Sequence, residues 1–335
     1  MKKQLISMVL MAAMTVSMLT GCKTAGGKKA EAPSSGNQAA AEAKTEDEEK
    51  ASEGGEDYSY HWKLATTESS DYYMTQLSQE FLDIVEEKTG GKVTGEVFAS
   101  GQLGGLVDAL EGLEMGNIDI VMDGVSSLSA VDDIFNVWCL PFLYDNKEHQ
   151  YRFWDNHFDE VSDMVAEQSG FRLVSVIDGM NRELASTVPV ESMADLKGLK
   201  IRVPNIPGYV RIWECLGAAP IPMSLSEVYT SIQTGVVQGQ ENDIALTLSL
   251  KFYEVAPYCV MTDHVAYEGS FYFNEEEYQS YPDELKQIIQ EAGEEIKLKS
   301  RSIIKEQETE CMKQIEDMGV TICRPDLEEF KKATA

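Results

Sequence analysis

From Tyr58 onward the sequence alternates between short strand patterns and longer helical patterns. YHWKLAT is typical of a strand, DYYMTQLSQEFLDIVEEKTGG of a helix with one apolar face, and KVTGEVF of a second strand. GGLVDALEGLEMG then predicts a second helix and IDIVMDG a third strand. Repeated strand–helix units predict mainly parallel sheets that are covered by helices.

The same alternation continues toward the end of the chain. A helical pattern around residues 147–168 is followed by the strands FRLVSVI and GLKIRVP, and Ser224 and Glu227 have capping-box spacing at the start of another helix. A long helical pattern runs from Pro282 to about Met318, and GVTIC predicts a last short strand. This is more chain than one ordinary hydrophobic core holds, so we predict two α/β lobes.

The first 57 residues have a different character. Lys2 and Lys3 precede an apolar run that ends in LTGC, so we predict a signal peptide at residues 1–21. LTGC resembles the lipobox of bacterial lipoproteins, in which the cysteine, here Cys22, is acylated; the alternative is an ordinary signal peptide. Residues 22–57 have no aromatic and no branched aliphatic residue with which to form a core, so we predict a disordered linker that is tethered by lipid outside the cytoplasmic membrane.

Charge and cysteine content exclude several classes of protein. A formal net charge of −29 argues against nucleic-acid binding, and any site for an anion has to be built locally. The five cysteines after Cys22 have no CxxC spacing, which favours buried free thiols over a disulfide framework. A bridge between Cys311 and Cys323 is the remaining alternative.

Motifs of the common enzyme classes are missing from the sequence. It has no GxSxG, GxxxxGK[ST], GxGxxG or HExxH, its four histidines are scattered, and its acidic clusters lack calcium-loop spacing. The glycine cluster SGQLGG, residues 100–105, fits either an anion cradle at a helix start or a tight turn. We therefore predict a protein that is not an enzyme, with no cofactor and no metal-ligating residues.

One arginine stands out in the stretch DLKGLKIRVPN. Leu199, Ile201 and Val203 alternate with Lys200 and Arg202, as in a strand with one buried face. Arg202 is thus predicted on the face opposite the apolar residues. It is either solvated there or available to bind an anion.

The region around Arg202 resembles the solute-binding proteins of tripartite ATP-independent periplasmic (TRAP) transporters, the DctP family. The motifs DLKGLKIRVP, LGAAPIPMSLSEVY, QTGVVQGQEN and FYEV occur in the order and spacing of the family, and GQLG at 101–104 fits its N-terminal lobe. The resemblance covers roughly residues 60–330.

The resemblance implies a two-lobe α/β fold like that of periplasmic binding proteins, with a long C-terminal helix. The implied lobes are residues 58–179 plus 268–305 and residues 180–267 plus 306–335. The family's carboxylate-binding arginine matches Arg202, a second family arginine matches Arg182, and the asparagine of its GQENP motif matches Asn242. A guanidinium can bind a carboxylate through two parallel hydrogen bonds, which agrees with these roles.

Further candidate ligand contacts lie at the ends of predicted strands or within the matched motifs: Thr67, Glu68, Asp123, Asp178, Leu225 and His264. The family's proline after QEN is Asp243 here, which either adds an acceptor near the pocket or alters a turn. The resemblance implies a glutamate in sialic-acid-binding relatives where this chain has Gly124, so sialic acid is disfavoured. Leu225 stands where those relatives often have an aromatic residue, so stacking against a ligand face is weaker here.

The predicted function is capture of an organic acid anion by a monomeric, extracytoplasmic lipoprotein at the bacterial cell membrane. A sugar acid such as a uronate is favoured because many polar groups would meet its hydroxyls, and a C4-dicarboxylate is next. The predicted partners are the membrane subunits of a TRAP transporter. The alternative is a sensor subunit that presents the bound acid to a membrane receptor.

Overall fold

The computed structural model describes residues 58–335, which form two sheets flanked by helices. The signal peptide, Cys22 and the linker predicted from the sequence lie outside this range. The strands are β1 (Tyr60–Ala65), β2 (Val93–Phe98), β3 (Ile120–Gly124), β4 (Phe171–Leu173), β5 (Ile177–Asp178), β6 (Arg182–Ser186), β7 (Lys200–Val203), β8 (Ala219–Pro222), β9 (Gly239–Asn242), β10 (Tyr258–Val265), β11 (Glu268–Asn274) and β12 (Thr321–Cys323).

Helices connect most of these strands. The α-helices are α1 (Tyr73–Lys88), α2 (Leu106–Glu114), α3 (Lys147–Ser169), α4 (Pro207–Cys215), α5 (Val228–Gln233), α6 (Ile244–Ser249), α7 (Glu275–Ser280), α8 (Asp283–Asp317) and α9 (Leu327–Thr334). The capping box predicted at Ser224 is present, since its backbone N–H donates to Glu227 Oε2 at 3.2 Å just before α5. Within the described range no helix is both long and apolar enough to cross a bilayer.

The first sheet has the order β2-β1-β3-β11-β4, and β5 also pairs with β11. β1 pairs in parallel with β2 and β3, and α1 and α2 provide the crossovers, as the alternating sequence pattern predicts. β11 pairs antiparallel with β3, β4 and β5. The sheet is therefore mixed rather than mainly parallel, because β11 returns to it from the other half of the fold.

The second sheet has the order β12-β10-β6-β9-β7-β8 and is also mixed. β7 is parallel to β8 and β9, whereas β6 is antiparallel to β9 and β10. The chain leaves the first sheet after Asp178 in β5 and enters the second at Arg182 in β6. It returns between Val265 in β10 and Glu268 in β11. Two short segments thus connect the sheets.

The two connecting segments pack closely against each other. A Cβ atom on Gly179 would lie 2.5 Å from the backbone oxygen of Tyr267, which is too close for any side chain. Glycine at this position allows the two segments to run side by side.

Helix α8 extends along both halves of the molecule. It contacts α1, which covers the first sheet, and α6, which follows β9 of the second. Its buried residues recur at helical spacing, from Leu285 and Ile289 at one end to Cys311 and Ile315 at the other. The predicted range, Pro282 to about Met318, agrees closely with the observed helix.

All five cysteines of the described residues are free thiols. Cys139, Cys259, Cys311 and Cys323 are buried and Cys215 is exposed. The prediction of mostly buried free thiols is therefore confirmed, and the alternative bridge between Cys311 and Cys323 is not formed.

Candidate ligand-binding site

A cavity of about 250 Å³ lies between the two sheets. Its polar lining comes largely from the carboxyl ends of strands, where open α/β folds bind ligands. Of the residues predicted from the sequence, the structure brings seven to this cavity: Thr67, Glu68, Asp123, Arg182, Arg202, Leu225 and Asn242. Asp178 and His264 are not among its lining residues.

Arg202 lies near the end of β7 and is only 2% exposed, so it is not a solvated residue. Its Nε and Nη2 atoms both donate to the carbonyl oxygen of Met223, at 3.0 and 2.9 Å. Its Nη1 atom is buried and has no hydrogen-bond acceptor. Among residues 58–335 no carboxylate oxygen lies within ion-pair distance of Arg202. Burial lowers the pKa of Arg202 to about 10, so it remains charged at neutral pH.

Arg182, at the start of β6, is also buried, but its charge is paired with Glu241. Its Nε and Nη2 atoms donate to Glu241 Oε2 and Oε1 at 2.6 and 2.9 Å, and Nη2 also donates to Asn242 Oδ1 at 2.7 Å. The guanidinium lies 4.9 Å from the ring centre of Tyr209 and 5.2 Å from that of Tyr267. Burial opposes its charge, but Glu241 outweighs this and raises the pKa of Arg182 well above its ordinary value.

His264 lies behind this ion pair. Its Nε2 atom is 3.3 Å from Glu241 Oε2, and its Nδ1 atom is 2.9 Å from Thr262 Oγ1. The imidazole is completely buried. It supports the carboxylate that neutralises Arg182 and has no surface in the cavity.

Asp178 lies at the point where the chain leaves the first sheet. Its Oδ1 atom accepts a hydrogen bond from Lys147 Nζ at 2.8 Å, and its Oδ2 atom accepts one from the hydroxyl of Tyr151. The backbone N–H of Asp178 donates to Ser300 Oγ of α8 at 2.9 Å. These contacts place Asp178 in the connection between the sheets.

Two acids line the cavity from the side of the first sheet. Glu68 follows β1, is 5% exposed, and has a buried Oε2 atom with no hydrogen-bond partner. Asp123, near the end of β3, accepts hydrogen bonds at Oδ1 from Ser127 Oγ at 2.5 Å and from the backbone N–H of Gly124 at 2.7 Å. Burial raises the pKa of both carboxyls, that of Glu68 to about 8. Thr67 is half-buried beside them.

The glycine cluster forms both a tight turn and part of the cavity wall. Gly101 and Gly104 have φ values of +68° and +112°, which favour glycine. Both residues line the cavity together with Ser100 and Gly105. The N–H of Gly105 is satisfied by Asp108 Oδ2 at 2.9 Å, so this helix start already has an internal partner.

Asp243 and Leu225 have different positions relative to the cavity. Asp243 caps α6 by accepting a hydrogen bond from the N–H of Leu246 at 2.8 Å, and it also accepts one from the hydroxyl of Tyr72. It does not line the cavity, so the replacement of the family's proline affects a helix start. Leu225 contributes an apolar side chain to the wall.

Several lining residues were missed by the sequence analysis, above all Tyr209, Tyr267, Ser126 and Ser127. The two serines directly follow β3, so the argument from strand ends that selected Asp123 could have found them. Tyr209 is on α4, and its hydroxyl is 2.9 Å from Ser126 Oγ of the other half. A tyrosine in a helical pattern gives no signal of such a contact.

Comparison with known proteins identifies the family. Residues 64–335 match the family model of DctP, described as bacterial extracellular solute-binding protein, family 7. The chain therefore belongs to this family, which confirms the resemblance seen in the sequence. It is 31% identical to the sialic acid-binding periplasmic protein SiaP of Vibrio cholerae over 252 residues, 75% of this chain and 78% of that protein.

Other similar proteins bind sugar acids. The chain is 27% identical to the 2,3-diketo-L-gulonate-binding periplasmic protein YiaO of Escherichia coli over 246 residues, 73% of this chain and 75% of that protein. A TRAP periplasmic solute-binding protein of Sulfitobacter sp. NAS-14.1, solved with bound β-D-galacturonate, has a TM-score of 0.78 and 29% identity. That match covers 82% of this chain and 92% of the other. The predicted α/β fold class, with two helix-flanked sheets and a long C-terminal helix, is thus confirmed, although both sheets are mixed.

Proposed function

We propose that this protein captures a sugar acid with one carboxylate, with uronates favoured and C4-dicarboxylates next, for delivery to a TRAP transporter. The observation that carries the proposal is Arg202, a buried cation in a cavity with one donor atom, Nη1, that has no acceptor. A ligand carboxylate would satisfy this donor and balance its charge. The sugar acids in the solved relatives support this choice of ligand class.

The opposite wall favours hydroxyl groups over a second carboxylate. Glu68 and Asp123 both face the cavity, and their oxygens accept hydrogen bonds from hydroxyl groups. A second carboxylate at this wall would meet the carboxylate of Asp123 and, above about pH 8, that of Glu68 as well. This distribution of charge ranks hydroxylated monocarboxylates above simple dicarboxylates.

The cavity also disfavours sialic acid. Its volume of about 250 Å³ lies just below the roughly 300–1,000 Å³ that is common for ligand pockets. A Cβ atom on Gly124 would lie 2.4 Å from Cε2 of Tyr267, so the ring of Tyr267 occupies the space of a larger side chain there. This is the position at which the family resemblance implies a glutamate in sialic-acid-binding relatives.

Capture would proceed by closure of two lobes around the acid. The first sheet supplies Glu68 and Asp123, the second supplies Arg202 and Asn242, and the segments at Gly179 and Tyr267 connect them. The proposed lobes keep the boundaries predicted above, 58–179 plus 268–305 and 180–267 plus 306–335. Bending at the connecting segments would open the cavity for ligand exchange.

The proposed location is the outer surface of the cytoplasmic membrane, with Cys22 as the acylated residue. LTGC after a short apolar run supports this anchor, and residues 22–57 would serve as its tether. Such an anchor would keep a monomeric binding protein close to the transporter subunits that accept the ligand.

The proposal is tested by melting the purified protein with D-galacturonate, D-glucuronate, L-galactonate, succinate and sialic acid. At a hundred times its Kd, a ligand that binds only the folded state adds about 2.7 kcal/mol of stability. We expect at least one sugar acid to raise the melting temperature more than succinate or sialic acid does. A preference for succinate, or no response to any sugar acid, would overturn the proposal.

A further inference from the structure

Glu68 differs from the other acids near the cavity in its hydrogen bonding. Its backbone is fixed, since the carbonyl oxygen accepts from the N–H of Ser100 at 2.6 Å and the N–H donates to Thr66 Oγ1 at 3.2 Å. Its side chain is not held in this way, because the buried Oε2 atom has no hydrogen-bond partner. Glu68 therefore presents an unsatisfied carboxyl oxygen to a cavity that also contains Arg202.

Asp123 shows how an ionised carboxylate is held at the same wall. Its Oδ1 atom accepts hydrogen bonds from a serine hydroxyl and a backbone N–H, both of which stabilise the charged form. Asp243 is held in the same way by the N–H of Leu246 and the hydroxyl of Tyr72. Burial raises the pKa of Asp123 and Asp243 as well, but Glu68 has no such donors and is the carboxyl that gains most from a proton.

The charged groups that act on Glu68 come from four different elements. Burial raises the pKa of Glu68 most, and the charges of Asp123 on β3 and Asp243 at the start of α6 raise it further. Arg182 on β6 and Arg202 on β7 lower it, and the resulting pKa is about 8. The neutral hydroxyls of Tyr72 and Tyr267 complete its surroundings. Both forms of Glu68 are thus accessible just above neutral pH.

We infer that the site takes up one proton on Glu68 together with the ligand anion, an inference that rests on the proposed function. The proton comes from the solvent, and the neutral carboxyl then donates a hydrogen bond to a ligand oxygen while its second oxygen accepts one from a ligand hydroxyl. Glu68 would thereby select an acid that carries oxygen substituents at a distance from its carboxylate.

The direction of the pH effect follows from the charges. A carboxylate bound at Arg202 cancels part of the attraction that keeps Glu68 ionised, so binding raises the pKa of Glu68. By linkage, the ligand binds more tightly to the protonated protein. Affinity should fall about tenfold between pH 7 and pH 9, as Glu68 of the free protein loses its proton near pH 8.

Calorimetric titration with the sugar acid that binds best tests this inference. Titrations at pH 8 in phosphate and in Tris, whose ionisation enthalpies differ, report the number of protons taken up per ligand. We expect a fractional uptake at pH 8 in the wild-type protein and a Kd that rises about tenfold from pH 7 to pH 9. Glu68→Gln should show neither proton uptake nor a pH-dependent Kd, whether it binds the sugar acid more tightly or more weakly than the wild-type protein does.

Asp123→Asn is the matched control from the same wall. It should keep the proton uptake, because Asp123 is the acid with two donors of its own, but the uptake should shift to lower pH, because the charge of Asp123 raises the pKa of Glu68. Binding of a sugar acid with no proton uptake and a Kd independent of pH would overturn the inference and leave the proposed function standing. Loss of uptake in Asp123→Asn but not in Glu68→Gln would also overturn it. If no sugar acid binds, the proposed function fails and the inference fails with it.

Discussion

Arg182 and Glu241 form a two-pronged ion pair within the second sheet, with N–O distances of 2.6 and 2.9 Å and almost no exposure to solvent. Arg202, which lines the same cavity, has no such partner among residues 58–335. The two arginines that the family motifs select are therefore not equivalent. Arg182 is already neutralised, whereas Arg202 has no carboxylate partner among the described residues, as the proposed role in ligand binding requires.

Breaking the pair from its acidic side should destabilise the protein strongly. Glu241→Gln leaves Arg182 buried without its counter-charge, which typically costs about 3–5 kcal/mol. Urea unfolding monitored by circular dichroism measures the change. Glu291→Gln, which removes the exposed pair with Lys88 at 3.0 Å, is the matched control and should leave the free energy of unfolding nearly unchanged. Equal stability of the two variants would contradict the structural role given to Glu241.

Gly124→Ala should weaken ligand binding through a steric effect. The backbone of Gly124 has a φ of −63°, which alanine adopts without strain, but the new Cβ would lie 2.4 Å from Cε2 of Tyr267. The displaced ring would disturb Arg182, which lies 5.2 Å from its centre. A titration of the variant should give a higher Kd than wild type. The same clash should lower the melting temperature of Gly124→Ala, and adding Tyr267→Leu should raise it again. No recovery in the double variant would argue against the steric explanation.

The stability of the protein should depend on pH through Glu268. Burial raises the pKa of this carboxyl to about 7, above its ordinary value of 4.5, although Trp154 donates to it at 3.0 Å. Between these values the folded state binds more protons than the unfolded state, so stability present at low pH is lost as the pH rises toward 7.

Glu268→Gln isolates this contribution, because glutamine stays neutral at every pH. The difference in unfolding free energy between wild type and variant should change by about 2–3 kcal/mol between pH 5 and pH 8. Urea unfolding at the two pH values measures it. Parallel stability curves for the two proteins would show that Glu268 does not titrate in this range.

Cys22→Ser tests the membrane anchor, which lies outside the described residues. The variant should appear in the soluble fraction, because the thiol that would carry the lipid is gone. Fractionation followed by immunoblotting compares it with the wild-type protein and with a Cys215→Ser control, which should stay with the membranes. A Cys22→Ser protein that remains entirely with the membranes would exclude acylation at this residue.

The sequence was informative wherever the signal is local. Period-2 alternation located the strand of Arg202, the capping-box spacing located the start of the helix after Ser224, and apolar periodicity located α8 almost to the residue. Helix α9 was missed, because eight residues with one buried aromatic, Phe330, carry little periodic signal.

Contacts between distant parts of the chain could not be predicted in this way. Glu241 is 59 residues from Arg182, and nothing in GQEN separates a buried counter-ion from a solvated acid. The antiparallel pairing of β11 depends on where the chain returns to the first sheet, which the order of strands and helices does not specify. For the same reason Asp178 was grouped with the cavity acids, although its partners, Lys147 and Tyr151, hold it at the connection.

The central claim, that Arg202 binds the ligand carboxylate, is tested most directly by calorimetric titration of Arg202→Lys with the best sugar acid. Lysine keeps the charge but loses the planar fork, so the Kd should rise roughly thirty-fold to several-thousand-fold, equivalent to about 2–5 kcal/mol. Melting of Arg202→Ala without ligand should give an unchanged or higher melting temperature, because a buried unpaired charge is removed. A Kd for Arg202→Lys equal to that of the wild-type protein would contradict the account.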